Sequence, residues 1–276
     1  MIEKISFKGN KQGPNLLILG AIHGDEPCGT HAINKIIKEI QTNILQLESG
    51  SITCIPICNP NAYMKRVRYT EKNLNRVIKN HDKPLYYEEQ LANILIEEIE
   101  KCDYLLDLHS MQSSGTSFVF QDYNDTDTIS FCKNMELEYV ITGRTKLAVT
   151  YENADTVGYA HKYGKIGAVV ECGQHNDNKS KEVAYTTIIN TLIGLGVIAH
   201  KKTNSQETIS IVVTKVISKV KSGNFSQTRK HLDYVKTGMV LSTYDDGESI
   251  IAEENGYILL PNETAKIGDE RFYIGK

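Results

Sequence analysis

The stretch that decides the fold is Asn15-Leu16-Leu17-Ile18-Leu19-Gly20-Ala21-Ile22-His23-Gly24-Asp25-Glu26-Pro27. Its first half is a short apolar run closed by glycine, the pattern of a strand buried on both faces. Its second half is polar and turn-forming, and a helical stripe follows through Ala32, Ile33, Ile36, Ile37 and Ile40. A buried strand, a polar turn and an amphipathic helix open an α/β unit, and ligands in such sheets gather at the carboxyl ends of strands. His23 and Glu26 stand at such an end.

The same alternation continues outward. Residues 51–58 are β-branched and strand-like, with Pro56 marking an edge, an irregularity or the strand's end. Residues 87–100 carry Leu91, Ile94, Leu95 and Ile99 at helical spacing. Two further apolar runs, 103–108 and 166–170, read as buried strands, and a long helix is expected over about 181–198. Strands alternating with helices predict an α/β domain with a mostly parallel or mixed sheet over residues 1–203. Past a polar linker at 203–207 the helical period fades. Short strand-like runs near 209–214, 238–242, 249–252 and 256–260, with turns at Asp246-Gly247 and Asn255-Gly256, predict a small all-β domain over 204–276.

Composition narrows the function. The 276 residues are 40% hydrophobic and 24% charged, enough for one large domain plus an appendage. A formal net charge of -3 argues against binding nucleic acid through bulk positive charge. The longest apolar run, 187–199, is interrupted by Gly194 and Gly196 and falls short of the roughly 18 residues of a membrane helix. The start, Met1-Ile2-Glu3-Lys4, has no signal-peptide pattern, so a cytoplasmic location is expected. Cys28, Cys54, Cys58, Cys102, Cys132 and Cys172 are scattered without a C-x-x-C pair and read as reduced, buried thiols.

Four elements carry chemistry. A His and a Glu three apart, plus one distant His, supply the three protein ligands of a zinc site with a position left for water. The spacing of His23 and Glu26 alone also suits a capping acid beside a loop histidine. Asp107-Leu108-His109 closes the second core strand and brings His109 to a carboxyl end, where the plainer role is a core histidine bonded to carbonyls. Within the loop 59–76, Lys65, Arg66, Arg68, Lys72 and Arg76 face one acid, Glu71, and the pair Asn75-Arg76 suits planar recognition of a carboxylate. Glu171 ends a buried strand, where a carboxylate is costly to desolvate unless it has a partner or a task.

In this order His23-Gly24-Asp25-Glu26, Asn73-Leu74-Asn75-Arg76, Asp107-Leu108-His109 and Glu171 resemble the signature of the succinylglutamate desuccinylase/aspartoacylase family, within the zinc carboxypeptidase superfamily. The resemblance implies a zinc-carboxypeptidase-like α/β fold and one Zn2+ held by His23, Glu26 and His109. It implies that Arg68 polarises the scissile carbonyl, that Asn75 and Arg76 hold a substrate carboxylate, and that Glu171 is general base and acid. The implied activity is zinc-dependent hydrolysis of an amide in a small carboxylated substrate, most naturally the deacylation of an N-acyl amino acid. The implied partner is that small anionic amide, with no nucleic acid or membrane and with room for homo-oligomerisation.

Departures bear on the substrate. Aspartoacylases carry a further arginine shortly upstream of the catalytic glutamate, whereas residues 155–165 hold only His161, Lys162 and Lys165 as cations. The tyrosine that the family's C-terminal domain brings to the substrate has no counterpart near 262–266. The same domain resembles a biotinyl or lipoyl hammerhead, but its turn offers Glu253, Glu254 and Asn255 rather than a modifiable lysine, so a lid is expected. A metallocarboxypeptidase, an ester hydrolase of an amino-acid conjugate, and a catalytically silent binding module are the competing readings.

Overall fold

The computed structural model describes residues 2–147, 154–199 and 207–276; most of the linker 203–207, and with it the expected domain boundary, lies outside the described residues. The strands are β1 (Ile5–Lys8), β2 (Lys11–Gly20), β3 (Ser49–Ile55), β4 (Tyr104–Met111), β5 (Phe118–Gln121), β6 (Tyr139–Thr142) and β7 (Ile166–Gln174), then β8 (Ile209–Ser218), β9 (Gly223–Phe225), β10 (Asp233–Val235), β11 (Val240–Tyr244), β12 (Ser249–Ile251), β13 (Gly256–Leu259) and β14 (Glu270–Gly275). The helices are α1 (Cys28–Gln41), α2 (Pro60–Lys65), α3 (Tyr87–Lys101), α4 (Thr126–Asn134), α5 (Arg144–Leu147), α6 (Thr156–Lys162) and α7 (Asn178–Gly194).

One mixed sheet organises the molecule, in the order β1-β3-β2-β4-β7-β5-β6-β8-β14-β13-β10. Its centre, β3-β2-β4-β7, is parallel, while β5 runs antiparallel to β7. Alternation along β2 explains the layers. Leu16 and Ile18 point to one side, where Ile33 and Ile36 of α1 and Ile188 and Leu192 of α7 close over them. Leu17 and Leu19 point to the other, against Leu91, Leu95 and Ile99 of α3 and Tyr159 of α6. Each fully buried leucine or isoleucine contributes on the order of 2 kcal/mol, and the run from Leu16 to Leu19 is buried on both faces as its sequence predicts.

Pro56 follows the last residue of β3, so it ends that strand, an interior one. The strands at 103–108 and 166–170 extend further than their apolar cores, to Met111 and Gln174, which places His109 and Glu171 within the pleat. The segment after residue 208 is β-rich. Its first strand, β8, runs parallel to β6 in the large sheet, and β9, β11 and β12 form a separate three-stranded sheet. Val235, Leu241, Ile258 and Phe272 give this part its own apolar cluster. All six cysteines are buried and free. No helix among the described residues is long and apolar enough to cross a membrane.

Candidate active site

The turn after β2 is tightly determined. Ala21 adopts φ 47°, reversing the chain as it leaves the sheet, and Asn59 donates its backbone N–H to the Ala21 carbonyl. Gly24 lies against α2: a Cβ there would sit 2.0 Å from the Ala62 carbonyl carbon, so only glycine fits. Gly24 N–H also donates to the Arg68 carbonyl at 3.2 Å, tying the turn to the basic loop.

This turn aims His23 and Glu26 at one point. Glu26 Oε1 lies 2.8 Å from His23 Nδ1, and Glu26 Oε2 lies 2.8 Å from His109 Nδ1. All three side chains are buried. Behind the rings, His23 Nε2 is 3.1 Å from Asn73 Oδ1, and His109 Nε2 lies 3.0 Å from Asp107 Oδ2, an ion-pair distance without hydrogen-bond geometry. At 2.8 Å each Nδ1 and its carboxylate oxygen are within hydrogen-bond distance when the nitrogen carries a proton, and the same four atoms converge as electron-pair donors when both rings are neutral. Two imidazoles, a carboxylate and oxygen acceptors behind the imidazoles form a donor set that fits zinc. Asp25 and His175 form a second trio with Glu26, but it has one imidazole, whose Nδ1 is 2.9 Å from Ser110 Oγ.

Electrostatics divide the two rings: burial opposes a charge on His109, but the Asp107 and Glu26 carboxylates hold it well above the ordinary imidazole range. Burial and the nearby Arg68 charge pull His23 down to about 4, so its ring is neutral, as a ligand must be. Burial works against ionising Glu26, but His23 and His109 hold its carboxyl well below the usual range. Glu171 lies opposite His109 in register on β7, and its Oε2 is buried without a hydrogen-bond partner. Burial, reinforced by the Glu26 charge, pushes Glu171 up to about 8. A bound dication would draw that value back down.

The basic loop runs through Arg66 at φ 54°, then Arg68, to a 3-10 turn at Leu74–Arg76. Arg68 Nη1 donates to Glu26 Oε1 at 2.9 Å. Asn75 is buried, with its Oδ1 accepting from Thr156 N–H at 3.1 Å. Arg76 donates from Nη1 to its neighbour's carbonyl, Asn75 O, at 2.7 Å and from Nη2 to Glu270 Oε1 at 3.1 Å. These residues, together with Leu260, Glu270 and Tyr273 of the C-terminal segment, line a cavity of about 480 Å³. The structure thus brings His23, Glu26, His109, Glu171, Arg68, Asn75 and Arg76 to one cavity.

Four features escaped the sequence reading. Glu88, fully buried on α3, accepts from the Thr70 hydroxyl at 2.6 Å and from the backbone of Thr70 and Lys72, pinning the basic loop. Burial would raise its carboxyl, but those bonds and one from Asn59 hold it below the usual range. Asp107 stands behind His109 and accepts from the Thr156 hydroxyl at 2.6 Å; its place two residues before His109 on one strand face was the available signal. Arg144 lines the cavity from α5, whereas the lining includes none of His161, Lys162 and Lys165. Tyr273, on β14 rather than in the stretch 262–266, brings a phenol to the cavity.

The comparisons agree with this architecture. The sequence profile of the succinylglutamate desuccinylase/aspartoacylase catalytic domain matches residues 12–191. That match covers more than half of the chain, and the chain belongs to the succinylglutamate desuccinylase/aspartoacylase family. A probable aspartoacylase from Prochlorococcus marinus (strain MIT 9515) is 36% identical over 57% of this chain and 53% of its own length. The chain therefore spans about half the length of the curated relatives it matches first. A succinylglutamate desuccinylase/aspartoacylase structure from Rhodobacter sphaeroides superposes with TM-score 0.82 at 17% identity, over 100% of this chain and 88% of that one. The product-bound ectoine utilization protein from Ruegeria pomeroyi gives TM-score 0.79 at 20% identity, over 100% and 89%. At these identities the structural likenesses establish the fold.

Proposed function

We propose that this chain is a zinc-dependent amidohydrolase that deacylates a small N-acyl amino acid, with residues 204–276 serving as a β-rich lid over a catalytic region formed by residues 1–203. The observation that carries the reading is the pair of imidazole Nδ1 atoms, each 2.8 Å from one oxygen of Glu26, across the strand register from the unpartnered Glu171. Family membership supports the hydrolytic class.

His23, Glu26 and His109 would hold the metal, with Asn73 and Asp107 fixing the two rings. Zinc in such a site supplies a Lewis acid for the scissile carbonyl and acidifies a water to about pKa 7. Glu171 takes the proton from the attacking water and returns it to the departing amine nitrogen. Its position within β7, three residues before the strand's end, with one oxygen unpartnered, leaves it able to accept and release that proton. Arg68, bonded to Glu26 at one Nη, orients its guanidinium toward the oxygen that gains charge in the tetrahedral state. Asn75 is fixed through its Oδ1, so its amide nitrogen can donate to the substrate carboxylate beside Arg76.

The test is a panel of N-acyl amino acids supplied to the zinc-loaded protein, beside Glu171→Gln. The variant should lose turnover by about 10²–10⁴-fold while its zinc content is unchanged. Near-normal activity in Glu171→Gln would refute its role, and a protein that neither holds zinc nor gains activity from it would refute the class.

A further inference from the structure

Resting on the deacylase reading, we propose that this cavity selects acyl amino acids bearing a single carboxylate and an uncharged side chain, and that Asp122 and Glu270 set this selectivity. The argument concerns which cations a substrate can use. Among the described residues, five cations line the cavity: Arg66, Arg68, Arg76, Arg144 and Lys266.

The buried one is committed. Arg144 donates from Nε to Asp122 Oδ1 at 3.0 Å and from Nη2 to Asp122 Oδ2, and its Nη2 lies 3.6 Å from Asp155 Oδ2. Its guanidinium carbon also lies 4.3 Å from the centroid of the Phe120 ring. The bidentate pair and the aromatic contact fix its plane, and two carboxylates on one guanidinium leave this cluster negative. Arg76 is offset by Glu270, with Nη2 at 3.1 and 3.3 Å from the two carboxylate oxygens. Arg68 faces Glu26 and, in the deacylase reading, the reacting carbonyl. Arg66 and Lys266 are exposed, where solvent screening leaves an ion pair little weight.

One substrate carboxylate can share Arg76 with Glu270 and take the Asn75 amide. A second meets no uncommitted buried guanidinium among the described residues, and faces the lining acids Asp269 and Glu270, with Asp122 already occupying Arg144. Placing it there leaves a charge desolvated without a partner. An uncharged amide of the same shape carries no such cost.

N-acetyl-L-asparagine and N-acetyl-L-aspartate are nearly the same shape and differ by that charge and the amide's N–H donors, and kcat/KM is to be measured for both with the zinc-loaded enzyme. The asparagine derivative should lead by about tenfold or more. Glu270→Gln, and separately Asp122→Asn, should each narrow that ratio by about threefold or more, since each removes a negative charge that competes for a guanidinium. Equal or better use of the aspartate derivative overturns the proposal, and so does a ratio that neither folded variant changes. If neither compound is hydrolysed, the deacylase reading stands or falls with the full panel of N-acyl amino acids, and the charge selectivity is decided by calorimetric binding of the two. Tighter binding of the asparagine derivative supports it; equal or tighter binding of the aspartate derivative overturns it.

Discussion

On one wall of the cavity, His23, Glu26, His109 and Glu171 come from the ends of three neighbouring strands, β2, β4 and β7. On the other, Leu260, Glu270 and Tyr273 come from the β-rich segment near the end of the chain, and Glu270 meets Arg76 across 194 residues of sequence. The first wall is built by the parallel core of the sheet, where register sets which side chains face each other. The second depends on how β13, β14 and their connection pack against the basic loop. Under the proposed function the difference would separate chemistry from selectivity: the strand ends would supply the metal ligands and the base, while the distant acids would decide which charges a substrate can bring. The basic loop joins the two walls, because it carries Arg68 toward one and Arg76 toward the other.

Breaking that seam should have the largest effect. Glu88→Ala removes the acceptor of the Thr70 and Lys72 backbone N–H groups and of the Thr70 hydroxyl. Leaving them without a partner should cost about 2–3 kcal/mol of stability in denaturant unfolding. Turnover should fall for every substrate alike, because both walls lose their support. A Glu88→Ala protein of unchanged stability and activity would show that the loop holds itself.

The second prediction separates the walls. Asp107→Asn weakens the acceptor behind His109 and leaves Arg76, Glu270 and Asp122 untouched. Metal affinity, read by chelator competition, should drop by about 10–100-fold. The ratio of kcat/KM for N-acetyl-asparagine over N-acetyl-aspartate, measured at saturating zinc, should stay where it is in the parent. A shift in that ratio as large as the loss of affinity would mean that chemistry and selectivity are not built separately.

How far each wall could be read from sequence follows from the same division. The run 15–20, with apolar side chains at every position from Leu16 to Leu19, announces a strand covered on both sides. His109 and Glu171 follow similar runs, so their place at strand ends was legible, as was the paired Asn75 and Arg76. Strands β5, β6 and β14 were not, because four to six residues leave too short a period to stand out. Arg144 and Glu270 were illegible for another reason. Their meaning lies in Asp122 and Arg76, partners that only tertiary packing supplies. Glu88 reads as an exposed acid in the first turn of α3, yet that helix turns it fully inward.

The effect that is smallest at neutral pH concerns how the second wall is attached, and it grows with acid. His231 is buried, stacks on Phe118 with ring centroids 4.5 Å apart, and accepts the Leu260 N–H at Nδ1 at 3.1 Å. It thereby anchors the segment that carries the second wall to β5, the neighbour of β7. Burial pushes its pKa down to about 3, against 6.5 for an exposed imidazole. Below pH 6.5 the unfolded chain takes up a proton that the folded chain refuses, so the stability present above 6.5 is lost as pH falls toward 3. The loss should approach about 1 kcal/mol per pH unit over most of that window. His231→Asn retains an acceptor for Leu260 N–H but does not titrate there. The difference in unfolding free energy between the two proteins should therefore be flat above pH 7 and should move steadily in favour of the variant as the solution is acidified. A difference that stays constant down to pH 4 would mean that His231 takes up its proton in the folded chain as readily as in the unfolded one.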